Sequence, residues 1–258
     1  MVGLRVLVDG RDATAEELAG AAVTNYGHYT TMQVRDGAVR GLDSHFERLR
    51  RQQAELFDEP LDEARLRAWM RAAVAEQPDG QLRVTVVGPA PGEVRVLISL
   101  RPPSEPSRDA LALLPVDYAR PLAHVKHVGS FAQSFHAREA RRRGFDDALL
   151  ITPGGLVTET SIANVGFLDD AGRVVWPDAP VLRGTTWQLL DARLVATGHP
   201  AVQRPVPLAD VGRHPVAFVA NSTGLAPVGR IGEVGFDAAA GPVGELAALL
   251  DDVAWDRI

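Results

Sequence analysis

Lys126 is the only lysine of the chain, and the other 26 of its 27 basic residues are arginine. A lysine amine can become nucleophilic and form an imine with a carbonyl group, whereas a guanidinium with a pKa above about 12 cannot do so near neutral pH. A codon bias towards arginine explains the charged surface but not the one position that keeps lysine. Lys126 is therefore the first candidate for covalent chemistry.

Two segments have the residue types that hold a phosphate group. Residues 45–49 read His-Phe-Glu-Arg-Leu, and the arginine of this segment, Arg48, can bind a phosphate through two parallel hydrogen bonds. Residues 181–186 read Val-Leu-Arg-Gly-Thr-Thr at the predicted start of a helix, where backbone N–H groups and the hydroxyls of Thr185 and Thr186 favour an anion. These two segments predict a phosphate site.

Two further segments complete the pattern. Residues 126–144 lead from Lys126 through Gly129 into a predicted helix that ends at Gly144, and residues 155–165 form a polar turn between Glu159 and Asn164. Each segment by itself is a weak signal. The order and spacing of all four segments are the specific signal.

Composition excludes several other kinds of chemistry. The chain has no cysteine, which removes disulfides, thiolate nucleophiles and Cys-ligated metals, and its net charge of −6 opposes binding to nucleic acid or to an anionic membrane. The glycine-rich nucleotide loops and the Gly-x-Ser-x-Gly motif do not occur. His124 and His127 lie on either side of a cation, which disfavours a metal site there. We therefore expect no bound metal. The charged residues Arg5 and Asp9 interrupt the apolar core that a signal peptide would need, so we expect a cytoplasmic protein.

The elements that would position these residues fall into two halves. The densest proline and serine stretch, within residues 101–108, favours a stiff and extended linker. We therefore predict a mixed α and β fold with an N-terminal α/β domain at residues 1–100. A C-terminal α/β domain at residues 109–258 would carry Lys126.

Local patterns predict individual elements of both halves. Asp36-Gly37 and the glycine- and proline-rich residues 88–92 indicate two hairpin turns. A helix should follow the first hairpin, with Asp43 or Ser44 as its N-cap. Further helices are predicted over residues 130–143 and 185–196.

The four segments together resemble the class IV aminotransferases, the pyridoxal phosphate enzymes of fold type IV, over residues 26–228. The resemblance implies the two-domain fold of the D-amino-acid aminotransferases. It places Lys126 on the lysine that forms the aldimine, Glu159 on the carboxylate that pairs with the pyridine nitrogen, and Tyr29 on an active-site tyrosine. The remaining cofactor contacts that it implies are Arg48, Asn164, Thr185, Thr186, Ser222 and Thr223.

This resemblance also carries expectations about activity. It implies the cofactor pyridoxal 5′-phosphate, a homodimer with the site at the domain junction, and transfer of an amino group from a small amine or amino acid to a 2-oxo acid. Lys126 would first anchor the cofactor through a Schiff base and then move a proton, while Glu159 would keep the ring nitrogen protonated.

Several positions depart from the family pattern. Many relatives have an acidic residue and an arginine where this chain has Thr30 and Trp187. Residues 88–92 lack the arginine and histidine that D-amino-acid aminotransferases have on this loop, and Gly129-Ser130 replaces the Asn-Arg pair typical of aminodeoxychorismate lyase.

The residues near the expected pocket suggest a donor class. Tyr29, Met32 and Trp187, without a cation on the loop at residues 88–92, predict an apolar or aromatic donor unless Arg40 or Arg183 reaches the substrate. Two alternatives stay open: an aminodeoxychorismate lyase-type enzyme that releases pyruvate, and a binding protein with the same fold and no catalytic activity.

Overall fold

The structure is a computed structural model and describes residues 4–90, 92–237 and 240–258. Helices and strands alternate along these residues, which confirms the mixed α and β prediction. The chain divides into two units. The first contains the chain up to Ser104 together with Val125–Gly129 and Ala254–Ile258, and the second contains Glu105–His124 and Ser130–Val253.

The first unit is built on a five-stranded antiparallel sheet. Up to Ser104 its elements are β1 (Arg5–Val8), β2 (Arg11–Asp12), α1 (Ala15–Ala22), β3 (Gly27–Val34), β4 (Ala38–Arg40), α2 (Leu42–Phe57), α3 (Glu63–Val74), β5 (Gly80–Ala90) and β6 (Glu93–Arg101). The order across the sheet is β2, β1, β6, β5, β3, so that β3 is an edge strand.

The two faces of β3 have different surroundings. His28, Thr30 and Met32 are buried, since side chains of this face pack under α2 and α3 in the core of the unit. Tyr29 points to the opposite face and is half-buried. The strand therefore separates a packed side from an open, more polar side.

Both predicted hairpin turns occur, with one difference in pairing. Asp36 and Gly37 have φ angles of +47° and +67°, as a tight turn between strands requires, but the only bridge across this turn among the described residues joins Arg35 and Ala38. Strand β4 then pairs elsewhere. The turn at residues 88–92 joins β5 to β6, and Pro91 of this turn lies outside the described residues.

Helix α2 begins two residues earlier than an N-cap at Asp43 would allow, and three earlier than one at Ser44. Its N-cap is Gly41, with a φ angle of +66°, and neither Asp43 nor Ser44 has that role. The carboxylate of Asp256 accepts a hydrogen bond from the N–H of Leu42 at 3.1 Å instead. A distant segment thus supplies the cap that glycine lacks.

In its described residues the second unit contains three α-helices, one short 3-10 helix (Leu208–Arg213) and a nine-stranded mixed sheet. Its elements are β7 (Leu111–Asp117), α4 (Phe131–Arg142), β8 (Asp147–Ile151), β9 (Val157–Thr160), β10 (Asn164–Leu168), β11 (Val174–Pro177), α5 (Thr185–Ala196), β12 (Val202–Arg204), β13 (Val216–Asn221), β14 (Gly224–Ile231), β15 (Val234–Gly235) and α6 (Ala240–Asp251). The order is β12, β11, β10, β13, β14, β7, β8, β9, with β15 beside β14.

A single pair of residues closes part of this sheet on itself. Strand β9, at the end of the order, also pairs with β10 through Glu159 opposite Asn164. The six strands from β10 to β9 therefore form a ring around a core of buried aliphatic and aromatic side chains. Glu159 and Asn164, both predicted to contact the cofactor, form the pair that completes the ring.

Two segments from beyond residue 108 join the first unit, unlike the predicted boundaries. The N–H of Tyr29 donates to the Lys126 carbonyl at 2.9 Å, and the N–H of Val128 donates to the Gly27 carbonyl at 3.0 Å. Strand β16 (Trp255–Arg257) pairs with β4. These backbone hydrogen bonds explain why the Lys126 segment lies with residues 4–104, while the division into domains at residues 1–100 and 109–258 stays a prediction.

Candidate active site

The amine of Lys126 lies beside Tyr29. Its Nζ atom is 4.9 Å from the centre of the Tyr29 ring. The backbone hydrogen bonds to β3 fix the segment, whereas the half-buried side chain extends from it. The strand thus holds the backbone of Lys126 and leaves its amine at the ring.

A second cation lies against the same ring. The guanidinium carbon of Arg83, on β5, is 3.6 Å from the Tyr29 ring centre, and its Nε donates to Thr85 at 3.1 Å. Burial lowers the pKa of Arg83. Arg83 was not predicted from the sequence, although the alternation of side chains along β5 places it on the same face as Tyr29.

Arg48 is a buried cation on α2. Its Nη1 donates to Thr30 Oγ1 at 3.3 Å, while its Nη2 is buried without a hydrogen-bond partner in the part of the chain that the structure describes. Burial lowers the pKa of Arg48 to about 10. A buried guanidinium with one unused nitrogen is suited to bind an anion.

Glu159 is buried in the second unit beside an arginine. Its Oε1 lies 3.2 Å from Nη1 of Arg120, and both side chains are about 6% exposed. A neighbouring guanidinium favours the charged form of a carboxylate. Arg120 was not predicted, because nothing in its local sequence distinguishes it from the other 25 arginines.

The amide of Asn164 anchors the turn before α5. Its Nδ2 donates to the Leu182 carbonyl at 2.6 Å, and its Oδ1 accepts from the N–H of Gly184 at 3.1 Å. Asn164 therefore holds the backbone that leads into Thr185. A direct contact between Asn164 and the cofactor stays a prediction.

The two predicted hydroxyl segments meet at Asn221. Thr186 Oγ1 donates to the Asn221 carbonyl at 2.6 Å, and the N–H of Thr223 donates to Asn221 Oδ1 at 2.8 Å. Ser222 lies between these contacts. The start of α5 and the β13–β14 turn thus meet in one polar surface, in which the hydroxyls of Thr186 and Thr223 both donate to Asn221.

The predicted residues form two sets. The first unit brings together Lys126, Tyr29 and Arg48, since Lys126 and Arg48 both act electrostatically on His45. The second unit brings together the predicted residues Glu159, Asn164, Thr185, Thr186, Ser222 and Thr223.

The family model for class IV amino-transferases matches residues 27–231, which is most of the chain. The chain belongs to the class IV aminotransferase family. A hypothetical aminotransferase from Mycobacterium tuberculosis is similar at 25% identity, over 96% of this chain and 97% of that chain, with a TM-score of 0.82. The 4-amino-4-deoxychorismate lyase from Pseudomonas aeruginosa is similar at 26% identity, over 96% and 99%, with a TM-score of 0.81. No curated protein gave a match.

The cofactor of this class IV family member is pyridoxal 5′-phosphate. The residues present fit this group. Within the first unit, Nη2 of Arg48 is an unused donor for its phosphate, and Lys126 offers the amine for a covalent bond to its aldehyde. The donor set therefore matches a dianionic, aldehyde-bearing ligand.

Two residues expected near the substrate belong to the interior instead. Met32 is buried under α2 and α3, and Trp187 stacks on Trp176 with ring centres 4.5 Å apart. Arg40 lies over Trp255, and Arg183 forms an ion pair with an aspartate, Asp191.

The predicted places of Met32 and Trp187 near the substrate were therefore wrong. Arg83, which lies at the Tyr29 ring together with Lys126, was not considered in predicting an apolar donor.

Two structural features are absent from the described residues. None of their helices is both long and apolar enough to span a membrane. No group of three or more histidine, aspartate and glutamate side chains among them is arranged to hold a metal ion.

Proposed function

We propose that this protein is a pyridoxal phosphate-dependent aminotransferase that moves an amino group from a small amino acid to a 2-oxo acid. One observation carries the proposal: the only lysine has its amine at the Tyr29 ring, in the same unit as a buried arginine with an unused nitrogen. Such a pair suits an aldehyde and a phosphate on one molecule.

Each residue has a defined task in this proposal. When bound, the cofactor supplies an aldehyde and a ring that accepts electrons from the substrate carbon. Lys126 would hold the cofactor through its aldehyde and, when not so engaged, would move a proton at the substrate carbon. Glu159, beside Arg120, would keep a proton on the ring nitrogen, and Arg48 would bind the phosphate. Thr185, Thr186, Ser222 and Thr223 would be further phosphate contacts, as the family resemblance implies.

Arg83 is suited to bind the carboxylate that the amino donor and the 2-oxo acid acceptor have in common. Amino acids and 2-oxo acids both carry a carboxylate next to the reacting carbon, and a partly buried guanidinium binds a carboxylate strongly. Since Arg83 contacts the same tyrosine ring as the Lys126 amine, we assign it to that carboxylate. An apolar donor side chain stays a prediction, and it now rests on Tyr29 alone.

A homodimer is part of the same proposal. Phe131 and Phe135 stack one turn apart on α4, with 81% and 48% of their surfaces exposed, and Leu122 is 59% exposed. Large apolar side chains exposed in this way are typical of a protein interface. A second copy of this chain is the expected partner, and the cytoplasm is the expected location.

A screen of amino donors with pyruvate and 2-oxoglutarate as acceptors tests the activity. We expect the purified protein to bind pyridoxal phosphate and to convert at least one amino acid only when a 2-oxo acid is present. A protein that stays colourless with added cofactor would favour a binding protein without activity.

The second candidate is a pyruvate-releasing lyase, because the Pseudomonas aeruginosa relative at 26% identity is an aminodeoxychorismate lyase. Aminodeoxychorismate added without any 2-oxo acid distinguishes the two. Pyruvate formed under that condition would support the lyase and contradict the aminotransferase.

A further inference from the structure

Behind Arg48 lies a chain of three buried polar side chains. Arg48 Nη1 is 3.3 Å from Thr30 Oγ1, and Thr30 Oγ1 is 2.6 Å from Nδ1 of His45. Thr30 belongs to β3, and the other two residues belong to α2, three positions apart on one face. All three side chains are buried.

Hydrogen-bond chemistry fixes one end of this chain. Arg48 can only donate, so Thr30 Oγ1 accepts from it. The bond between Thr30 Oγ1 and Nδ1 of His45 forms in either neutral tautomer, with the hydroxyl donating to a bare Nδ1 or accepting from an Nδ1–H. Burial and the charges of Arg48 and Lys126 lower the pKa of His45 to about 3, which agrees with a neutral ring.

The hydrogen bonds from Arg48 through Thr30 to His45 hold the guanidinium in place without neutralising its charge. A threonine hydroxyl and a neutral imidazole carry no charge, and no carboxylate lies within ion-pair distance of Arg48 anywhere in residues 4–90, 92–237 and 240–258. A buried cation without a counter-ion is costly unless a bound anion compensates it. A carboxylate at position 30 would instead form an ion pair with Arg48 and neutralise its charge whether or not a ligand is bound.

We propose that Thr30 and His45 are positioning residues that fix Arg48 through Nη1 and thereby reserve its charge and its Nη2 for the cofactor phosphate. The inference rests on the proposed function, since it needs pyridoxal phosphate as the ligand. It assigns a role to two residues that contact neither the substrate nor the reacting carbon.

The affinity ratio of two aldehydes tests this role without measuring turnover. Pyridoxal phosphate and pyridoxal differ only in the phosphate, and both can react with Lys126. In Thr30→Val, which keeps the shape and loses the hydroxyl, we expect the preference for pyridoxal phosphate over pyridoxal to fall by about tenfold to a hundredfold, as for a lost hydrogen bond to a charged group. Pyridoxal affinity should stay the same.

Two variants of the same strand control the experiment. Thr30→Ser restores a hydroxyl and should restore the preference, whereas Thr31→Val removes a hydroxyl from the opposite face of β3 and should leave the preference unchanged. Equal loss of affinity for both aldehydes in Thr30→Val would overturn the inference, because a merely structural role affects both.

His45→Phe tests the chain from its other end. Thr30 then loses its hydrogen bond to Nδ1 of His45, and we expect a smaller loss of the same preference. An unchanged ratio in His45→Phe would remove His45 from the proposal. Failure of the unsubstituted protein to bind pyridoxal phosphate would contradict the proposed function itself, which keeps the two failures distinct.

Discussion

At the scale of single residues, charges in the first unit lie where a ligand can use them. The Lys126 amine and the Arg83 guanidinium both lie at the Tyr29 ring. In the proposed function lysine and arginine are not interchangeable at these positions, because only lysine forms an imine and only arginine binds a carboxylate through two parallel hydrogen bonds. In the second unit Glu159 has its own arginine, Arg120. Three predictions concern these residues.

Lys126→Ala should remove covalent cofactor attachment while the protein stays folded, since the backbone of residue 126 makes the hydrogen bond to β3. Borohydride treatment followed by peptide mapping should find the cofactor on the Lys126 peptide of the unsubstituted protein and on no peptide of the variant. Lys126→Arg, which keeps the charge, should behave like the alanine variant. Attachment at the N-terminal amine would contradict the assignment.

Glu159→Gln should keep cofactor binding but lower kcat by more than tenfold. The phosphate contacts remain, while each pKa unit of lost preference for the protonated ring nitrogen corresponds to about a factor of ten. Glu233→Gln, an exposed change in the same unit, is the control. Near-normal turnover in Glu159→Gln would show that Glu159 has only a structural role, in which it pairs with Asn164 to close the ring of six strands.

Arg83→Gln should raise KM for the 2-oxo acid by about tenfold to a hundredfold, as expected for a lost charge-assisted hydrogen bond. Steady-state kinetics with varied acceptor measures it. Arg95→Gln, which changes an exposed arginine of β6 paired with Asp9 and Glu93, should leave KM unchanged. A KM that is the same in both variants would show that the carboxylate binds elsewhere.

At the scale of elements, α2 depends on the end of the chain. The helix carries His45 and Arg48, its N-cap is a glycine without a side chain, and the N–H of Leu42 donates to the carboxylate of Asp256 from β16. A negative group at this end also interacts favourably with the helix dipole. Strand β16 therefore stabilises the helix that holds Arg48, the arginine proposed to bind the phosphate.

Asp256→Ala should destabilise the protein by about 1 kcal/mol, the usual effect of losing an N-cap. Urea unfolding would show a lower midpoint with an unchanged slope. Asp170→Ala, which removes an exposed carboxylate from the second unit, should change the free energy of unfolding by less than about 0.5 kcal/mol. Equal midpoints for the two variants would show that Asp256 does not cap α2.

Local patterns predicted the elements better than their partners. The hairpin from β5 to β6 and helix α5 follow from alternation, turn residues and helical periodicity, which act over a few neighbours. The pairing of β16 with β4 and the ion pair of Arg120 with Glu159 join residues far apart in the chain, and no local pattern encodes them. Met32 was misplaced because its neighbour Tyr29 is on the other face of β3.

At the scale of the whole molecule, the exposed aromatic residues of α4 predict assembly. Phe131→Ser combined with Phe135→Ser should convert a dimer into monomers, because two large apolar surfaces would no longer be buried. Light scattering measures the mass. Val195→Ser, at a position that is 64% exposed on α5, should leave the mass unchanged. A monomeric unsubstituted protein with full activity would contradict the dimer.

The Lys126 segment also protects the first unit from other chains. Strand β3 ends the sheet, and an uncovered edge strand offers free N–H and C=O groups to any extended chain, which promotes aggregation. Between Gly27 and Tyr29 those groups are already bonded to Lys126 and Val128. Because the backbone provides this cover, side-chain changes at residue 126 should leave solubility intact, whereas a proline at residue 128 would remove a donor and open the edge to association.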